Sequence, residues 1–147
     1  MGGQCPRLGR VQNAIAGLLC VLAIGCVEVI DTRIDRGVPL RVHSDAIDAD
    51  TIRAAAAPWI ALGAVIEPSD EAPQIAIRMF TGGDVTGRWD PATRTIWLWC
   101  HDQRVLSHEL GHALGLEHVE GGCAIMSPSA CADDLTLYDA AEWERTK

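Results

Sequence analysis

The chain is poor in positive charge. It has 147 residues, of which 12 are basic and 20 acidic, so its formal net charge is −8. Eleven of the basic residues are arginine, and they form no cluster along the sequence. Because nucleic-acid binding needs a concentrated basic surface, this composition argues against a nucleic-acid partner. The chain also lacks internal repeats and low-complexity segments, and its length fits one globular domain, which we expect to be monomeric.

Long apolar runs are also absent. The longest apolar stretch covers residues 11–25 and is interrupted by two polar residues, which is too short for a comfortable membrane span. It follows Arg7 and Arg10, and a short apolar segment behind a positive region is typical of a secretory signal. We therefore predict that residues 1–25 are a signal peptide and that the protein is exported.

The end of this stretch resembles a bacterial lipobox, because residues 22–26 read Leu-Ala-Ile-Gly-Cys. The resemblance implies that Cys26 becomes the lipidated first residue of a membrane-anchored protein of the cell envelope. Ordinary cleavage near Gly25, with secretion, and an uncleaved anchor are the alternatives. Residues 26–37 would then be a tether, and residues 38–147 the functional domain.

The segment HELGHALGLEH contains the most specific pattern in the chain. His108 and His112 are four residues apart, so on a helix they lie on one face and can reach one metal ion. Glu109 is rotated away from that face and can hold a water molecule. Gly115 can adopt a backbone conformation closed to other residues, which lets His118 return as a third ligand. Three protein ligands with one open position are typical of catalytic zinc.

A methionine follows this segment at a short distance. Met126 comes eight residues after His118, in the sequence Ala-Ile-Met-Ser-Pro. Together the two segments resemble the metzincin metallopeptidases, and most closely their matrixin branch, over residues 95–128. The resemblance implies one catalytic zinc ion and a Met-turn at Met126 beneath the ligands. It also implies an α+β fold with a small, twisted, mostly parallel sheet, an active-site helix and a C-terminal helix.

The chain departs from matrixins in its other metal ligands. Matrixins usually carry a structural zinc and calcium sites, whereas here only His43 and His101 lie outside the motif. No spaced set of aspartates and histidines joins them, so we interpret both as ordinary polar residues and expect no structural zinc. The sequence does not decide whether calcium is bound.

The resemblance implies a zinc endopeptidase in which Glu109 is the general base. An extended protein or peptide substrate would pair with an edge strand near Val85 and Trp89. Ser127 and Pro128 would line the pocket that follows the scissile bond. Two other interpretations stay open: a non-catalytic, zinc-containing binding module of the cell envelope, and a zinc hydrolase that acts on a non-protein amide.

Three cysteines follow Cys26 in the sequence, and in an oxidising compartment they allow one disulfide and one free thiol. A bond between Cys123 and Cys131 would close the loop around the methionine. A bond between Cys100 and Cys131 would close a longer loop and so constrain the unfolded chain more. We predict the second pairing.

Hydrophobic periodicity predicts four strands and three helices. The predicted strands cover residues 38–42, 74–80, 84–89 and 95–99. The predicted helices cover residues 48–62, the histidine motif from near Asp102, and a C-terminal segment from the capping box at Thr136 to Arg145. Pro58 lies inside the first helix, where it would kink the helix or end it early. Residues 63–73, which contain one glycine and two prolines, are predicted to be a loop.

Overall fold

A computed structural model describes residues 37–81, 86–120, 122–130 and 132–146. Cys26, Val85 and Cys131 lie outside these ranges, as do the predicted signal peptide and nearly all of the tether. The described elements follow in chain order: β1 (Leu40–Ser44), α1 (Ala49–Ala61), β2 (Ile66–Pro68), β3 (Ile75–Met79), β4 (Gly87–Asp90), β5 (Thr95–Leu98), α2 (Gln103–Ala113) and α3 (Leu137–Arg145).

The five strands form one sheet in the order β2-β1-β3-β5-β4. Neighbouring strands are parallel except at one edge, where β4 runs antiparallel to β5. The protein is therefore a mixed α/β structure with a mostly parallel sheet and three helices among the described residues. This arrangement is compatible with the predicted α+β fold, and the predicted parallel character of the sheet is confirmed.

One strand was missed. Residues 63–73 were predicted to be a loop, but β2 lies within them and pairs with β1, so that prediction was wrong. The Leu40 amide donates to Val65 and the Ser69 amide donates to Val42, which fixes both ends of the short pairing. Three residues that end in Pro68 have no recognisable periodicity of their own. The strand exists because β1 offers it hydrogen-bonding partners and the core accepts Ile66.

The core lies between the sheet and the pair of helices α1 and α2. Alternate strand residues point into it, as the twofold periodicity of a strand requires. These fully or almost fully buried residues include Leu40, Val42, Ile75, Ile77, Ile96 and Leu98. Trp59 of α1 is completely buried and donates its indole N–H to the Ser107 carbonyl of α2 at 2.8 Å. Helix α2, which carries the histidine motif, is therefore held both by the sheet and by α1.

Helix α1 begins at a local capping signal and continues past an internal proline. Asp48 is its N-cap and accepts a hydrogen bond from the Thr51 amide at 2.9 Å, whereas the sequence left both Asp48 and Asp50 open as the cap. Pro58 does not end the helix, which continues to Ala61. In the part of the chain that the structure describes, no helix is both long enough and apolar enough to cross a membrane.

Candidate metal centre

Helix α2 begins and ends at positions that local chemistry defines. The Asp102 side chain caps the first turn by accepting from the Arg104 amide at 2.9 Å. At the other end Gly115 has a φ of 85°, a left-handed conformation that costs glycine little. The Gly115 amide donates to His112 and the Leu116 amide donates to Gly111, which is the Schellman pattern of helix termination. The predicted role of Gly115 in ending the helix is thus what the backbone shows.

Three histidine rings converge beyond this helix end. The Nε2 atoms of His108, His112 and His118 are each 3.1 Å from the other two. His108 is buried, His112 half-buried and His118 exposed, so the cluster opens to solvent on one side. Among the described residues, it is the one group of three or more potential ligand side chains that is placed to hold a metal ion.

The Nδ1 atoms of His108 and His112 determine which tautomer these two rings adopt. His108 Nδ1 lies 2.7 Å from the Ile125 carbonyl, and His112 Nδ1 lies 2.8 Å from the Leu116 carbonyl. A carbonyl only accepts, so each Nδ1 carries a proton and each Nε2 presents a lone pair. Burial lowers the pKa of His108 to about 4 and also lowers the pKa of His112, which keeps both rings neutral.

The spacing of the three Nε2 atoms fits a tetrahedral metal ion. Zinc binds histidine nitrogen at about 2.0–2.1 Å, which places two tetrahedral ligands about 3.3 Å apart. The observed 3.1 Å needs only a small outward shift. The lone pairs of His108 and His112 held this close also repel each other unless a cation lies between them. Imidazole suits several transition metals, so the geometry indicates a metal site without selecting the ion.

Met126 lies directly beneath the histidine helix and is fully buried. A Cβ added to Gly111 would lie 2.3 Å from Met126 Sδ and 3.0 Å from Trp59 Cζ2. Gly111, one residue before a ligand, therefore lets the methionine and Trp59 pack against the helix backbone. The sequence analysis assigned no role to Gly111, because the close approach comes from residues distant in the sequence.

Helix α3 holds the turn that contains Met126. Its residue Asp139 is fully buried and accepts hydrogen bonds from the Met126 amide at 2.8 Å and the Ile125 amide at 3.2 Å. It also completes the predicted capping box with Thr136. Ile125 in turn accepts the Nδ1 proton of His108. Asp139 is thus connected to a candidate metal ligand through one turn of backbone, a role that the capping box alone did not reveal.

The segment that carries His118 is fixed on both sides. The Glu117 amide donates to Glu142 of α3 at 3.1 Å, and Arg145 bridges the carboxylates of Glu117 and Glu142. On the other side the Val119 amide donates to the Met126 carbonyl at 2.9 Å. Although His118 is exposed, the backbone on either side of it is tied to buried structure.

Glu109 lies against the edge strand β4. A Cβ added to Gly87 would lie 2.9 Å from Glu109 Oε1 and 2.5 Å from Val105 Cγ1. Only glycine therefore allows the strand to approach the helix this closely. Burial raises the pKa of Glu109 to about 7, and a hydrogen bond from the Trp89 backbone opposes that rise. The sequence analysis missed Gly87 because nothing in the local pattern of a weak strand indicates the contact.

The free edge of β4 offers hydrogen-bonding groups beside this glutamate. The Trp99 amide donates to the Thr86 carbonyl, so Thr86 belongs to a hydrogen-bonded pair of the antiparallel ladder. The pattern alternates, and Gly87 and Trp89 therefore turn their backbone groups away from β5. On this side the Trp89 backbone already hydrogen-bonds to Glu109. The backbone of Gly87 is therefore the next position at which an added strand could pair.

The remaining predicted site residues have mixed positions. Trp89 is on the edge strand, as predicted, and Val85 is outside the described residues. Ser127 is buried, and its hydroxyl donates to the Ala124 carbonyl at 2.8 Å within the turn. Pro128 is exposed. The roles proposed for these residues in binding a substrate stay predictions.

Two of the cysteines that precede elements of the site in the sequence form disulfide bonds. Cys100, before α2, and Cys123, before the methionine turn, are both disulfide-bonded. Cys131 is outside the described residues, so the predicted pairing of Cys100 with Cys131 stays a prediction. The prediction of a free thiol at Cys123, which this pairing would leave, was wrong, because Cys123 is disulfide-bonded.

The chain matches no protein-family model, and no curated protein sequence matches it.

Proposed function

We propose that this protein is a zinc-dependent endopeptidase of the metzincin class, closest in its motifs to the matrixins. The observation that carries the proposal is the convergence of three histidine Nε2 atoms, with a buried glutamate next to the first histidine in the sequence. A site that only stabilised the fold would not need Glu109. The resemblance of the motif and of the Met126 turn to metzincins adds support from the sequence.

His108, His112 and His118 would hold the ion. A zinc ion bound there would lower the pKa of a bound water towards neutrality and would polarise the scissile carbonyl. Glu109, beside the first ligand and against β4, accepts the proton of the attacking water and later donates it to the leaving nitrogen. The contacts of its carboxylate with Gly87 and Trp89 limit its rotation, so the base is oriented before the substrate arrives.

Strand β4 supplies the surface along which the substrate lies. An extended peptide that adds to this edge pairs with the outward backbone groups of Gly87, and its scissile bond then lies beside Glu109. The exposed position of His118 leaves the approach to the cluster open. The side-chain preference of the protease would depend on residues near Ser127 and Pro128.

The protein would act outside the cytoplasm. We propose that residues 1–25 direct export and that Cys26 receives a lipid, which keeps the enzyme at a membrane of the cell envelope. Mass spectrometry of the protein from its native host should find a lipidated N-terminus at Cys26, and Cys26→Ser should remove the label. An unmodified N-terminus in the wild type would reject the anchor and leave the enzyme proposal unaffected.

The decisive test of the enzyme proposal is Glu109→Gln, measured with a library of quenched fluorescent peptides. Gln keeps the size of the side chain but cannot accept the proton, and general-base catalysis typically contributes about 10²–10⁴-fold. Hydrolysis should fall by at least about a hundredfold while the zinc content and the circular dichroism spectrum stay unchanged.

A matched control is Glu67→Gln, which removes a carboxylate from β2 at the opposite edge of the sheet. This variant should hydrolyse the peptides at the wild-type rate, and a chelator should stop that hydrolysis until zinc is restored. Equal hydrolysis by wild type and Glu109→Gln would reject the assigned base. No hydrolysis by zinc-loaded wild type would favour the binding-module interpretation instead.

A further inference from the structure

The face of the sheet that points away from α1 and α2 carries a row of cationic and aromatic side chains. The strand register places Arg78, Trp97 and Arg88 side by side on β3, β5 and β4. Their neighbours along the chain, such as Ile77 and Leu98, are buried in the core, so these three side chains point the opposite way. Both arginines are exposed and Trp97 is half-buried. We refer to these three residues as the Arg-Trp row.

Ion pairing divides the arginines of the described residues into two groups. Those on the helices each contact a carboxylate: Arg53, Arg104 and Arg145. Those on the sheet and on the turn between β4 and β5 form no ion pair with any described residue: Arg41, Arg78, Arg88 and Arg94. Acidic residues outnumber basic ones 20 to 12 in this chain, so four arginines without an ion pair on one sheet and its turn are the opposite of what composition favours.

Nearby acidic groups neutralise the row only in part. Glu67 is on β2, at the opposite edge of the sheet. Asp45 lies 3.0 Å from the ring of His43. Asp90 follows Arg88 by two residues on β4, and its pKa is lowered by a hydrogen bond from Thr93 and also by the charge of Arg88. Two arginines against this one carboxylate leave the Arg-Trp row with a net positive charge, on the side of the sheet away from the core.

We propose that the Arg-Trp row docks on the surface of a membrane that contains anionic lipids. Guanidinium groups bind lipid phosphates through paired hydrogen bonds, and tryptophan prefers the level of the headgroups. Adjacent strands are about 4.8 Å apart, so the three side chains emerge close together and can contact one flat surface at the same time. A mostly parallel sheet is normally covered on both faces, and the membrane would provide the second cover.

The sequence before the described residues favours a membrane over a soluble anionic partner. The apolar stretch of residues 11–25 is separated from Gly37 by only eleven residues, 26–36. Eleven extended residues span at most about 40 Å, so a domain anchored at Cys26 stays within reach of the bilayer. The row lies on the sheet face and not at the histidine cluster, so docking does not depend on catalysis.

The test uses the full-length chain and sedimentation with phosphatidylcholine vesicles, with and without phosphatidylglycerol. An arginine near an anionic surface contributes about fivefold to partitioning. Arg78→Gln combined with Arg88→Gln should therefore reduce partitioning to anionic vesicles by about 25-fold and leave binding to neutral vesicles unchanged. The charge-matched control, Arg53→Gln with Arg104→Gln on the helices, should keep most of the binding. The apolar N-terminal residues are common to all variants and cancel in the comparison.

A second measurement places the contact at the row. Brominated lipids in anionic vesicles should quench part of the wild-type tryptophan fluorescence, and Trp97→Phe should remove that part. If the row variant and its charge-matched control lost equal amounts of binding to anionic vesicles, only net charge would matter, and the proposal would be overturned. Equal wild-type binding to both kinds of vesicle would also overturn it, as would binding to an acidic polysaccharide such as polygalacturonate without binding to vesicles.

Discussion

The histidines of the metal centre and His43 both lie close to acceptor groups, but their ring nitrogens are used in different ways. His108 and His112 each give one nitrogen to a backbone carbonyl and turn the other towards the cluster. His43 instead lies between two carboxylates, with Nδ1 2.8 Å from Asp70 and Nε2 3.0 Å from Asp45. Its ring has no nitrogen left for a metal.

The two environments shift the pKa in opposite directions. Burial lowers the pKa of His108 and His112, whereas the hydrogen bond with Asp70, aided by Asp45, raises the pKa of His43. A neutral ring with one free nitrogen can bind a metal, and a ring that is protonated between two carboxylates cannot. All of these rings lie near acceptor groups, so the number and the charge of the acceptors that each ring contacts determine whether a nitrogen is left for a metal.

The largest effect expected from this comparison is on metal binding. His118→Ala removes one of three converging nitrogens and should sharply weaken zinc affinity, whereas His43→Ala should leave it unchanged. Elemental analysis of the purified variants and competition with a chelator would measure both. If His118→Ala bound zinc as tightly as the wild type, the three-histidine site would be wrong.

A smaller effect should follow from moving the base without touching a ligand. In Gly87→Ala the new methyl group collides with Glu109 and Val105. A misplacement of about 1 Å can cost about a hundredfold in rate, so we expect peptide hydrolysis to fall by about ten- to a hundredfold with zinc content unchanged.

Adding Val105→Ala to that variant separates two explanations. It relieves the 2.5 Å contact but leaves the one with Glu109. Thermal stability should then recover while hydrolysis stays low. If thermal stability and hydrolysis both recovered, Gly87 would serve only the packing of β4 on α2. If Gly87→Ala alone were fully active, Gly87 would not be needed to position Glu109.

The support beneath the ligands should have an effect of about tenfold on zinc affinity. Asp139→Asn places an amide group where a carboxylate oxygen now accepts backbone N–H groups of Ile125 and Met126. Changes in groups that orient metal ligands typically cost about 10–100-fold in affinity, and Asp139 is one step further away. Loss of buried hydrogen bonds should also lower the free energy of unfolding by about 1–3 kcal/mol.

The control for this variant is Asp134→Asn, an exposed aspartate in the segment before α3. It should change neither zinc affinity nor stability. If Asp139→Asn lost stability but kept the wild-type zinc affinity, Asp139 would hold the turn without positioning His108.

The smallest effect concerns His43. Its pKa is raised in the folded protein, so its contribution to stability is fully present below the unfolded value of about 6.5 and is lost as the pH rises through the folded value. The melting temperature of His43→Gln should therefore fall below that of the wild type by more at about pH 5.5 than at about pH 8.5. An equal difference at both values would mean that the ring is not protonated between its aspartates.

The sequence predicted the parts of this structure that depend on neighbours along the chain. The end of α2 at Gly115 and the capping box at Thr136 were predicted, and the cap of α1 was limited to Asp48 or Asp50, because each depends on hydrogen bonds within a few residues. The spacing of His108 and His112 on a helix face is fixed in the same way. Strand β2 was missed because its partner is β1 and its own three residues have no pattern.

The sequence by itself therefore determined which side chains form the candidate metal centre, since helical periodicity and one glycine conformation bring the three histidines together. Only the tertiary structure decided how those side chains are oriented. The Ile125 carbonyl that sets the tautomer of His108, the Asp139 carboxylate that holds Ile125, and the contact of β4 with Glu109 all join separate elements. Such contacts form only when the core packs, and no local pattern of residues records them.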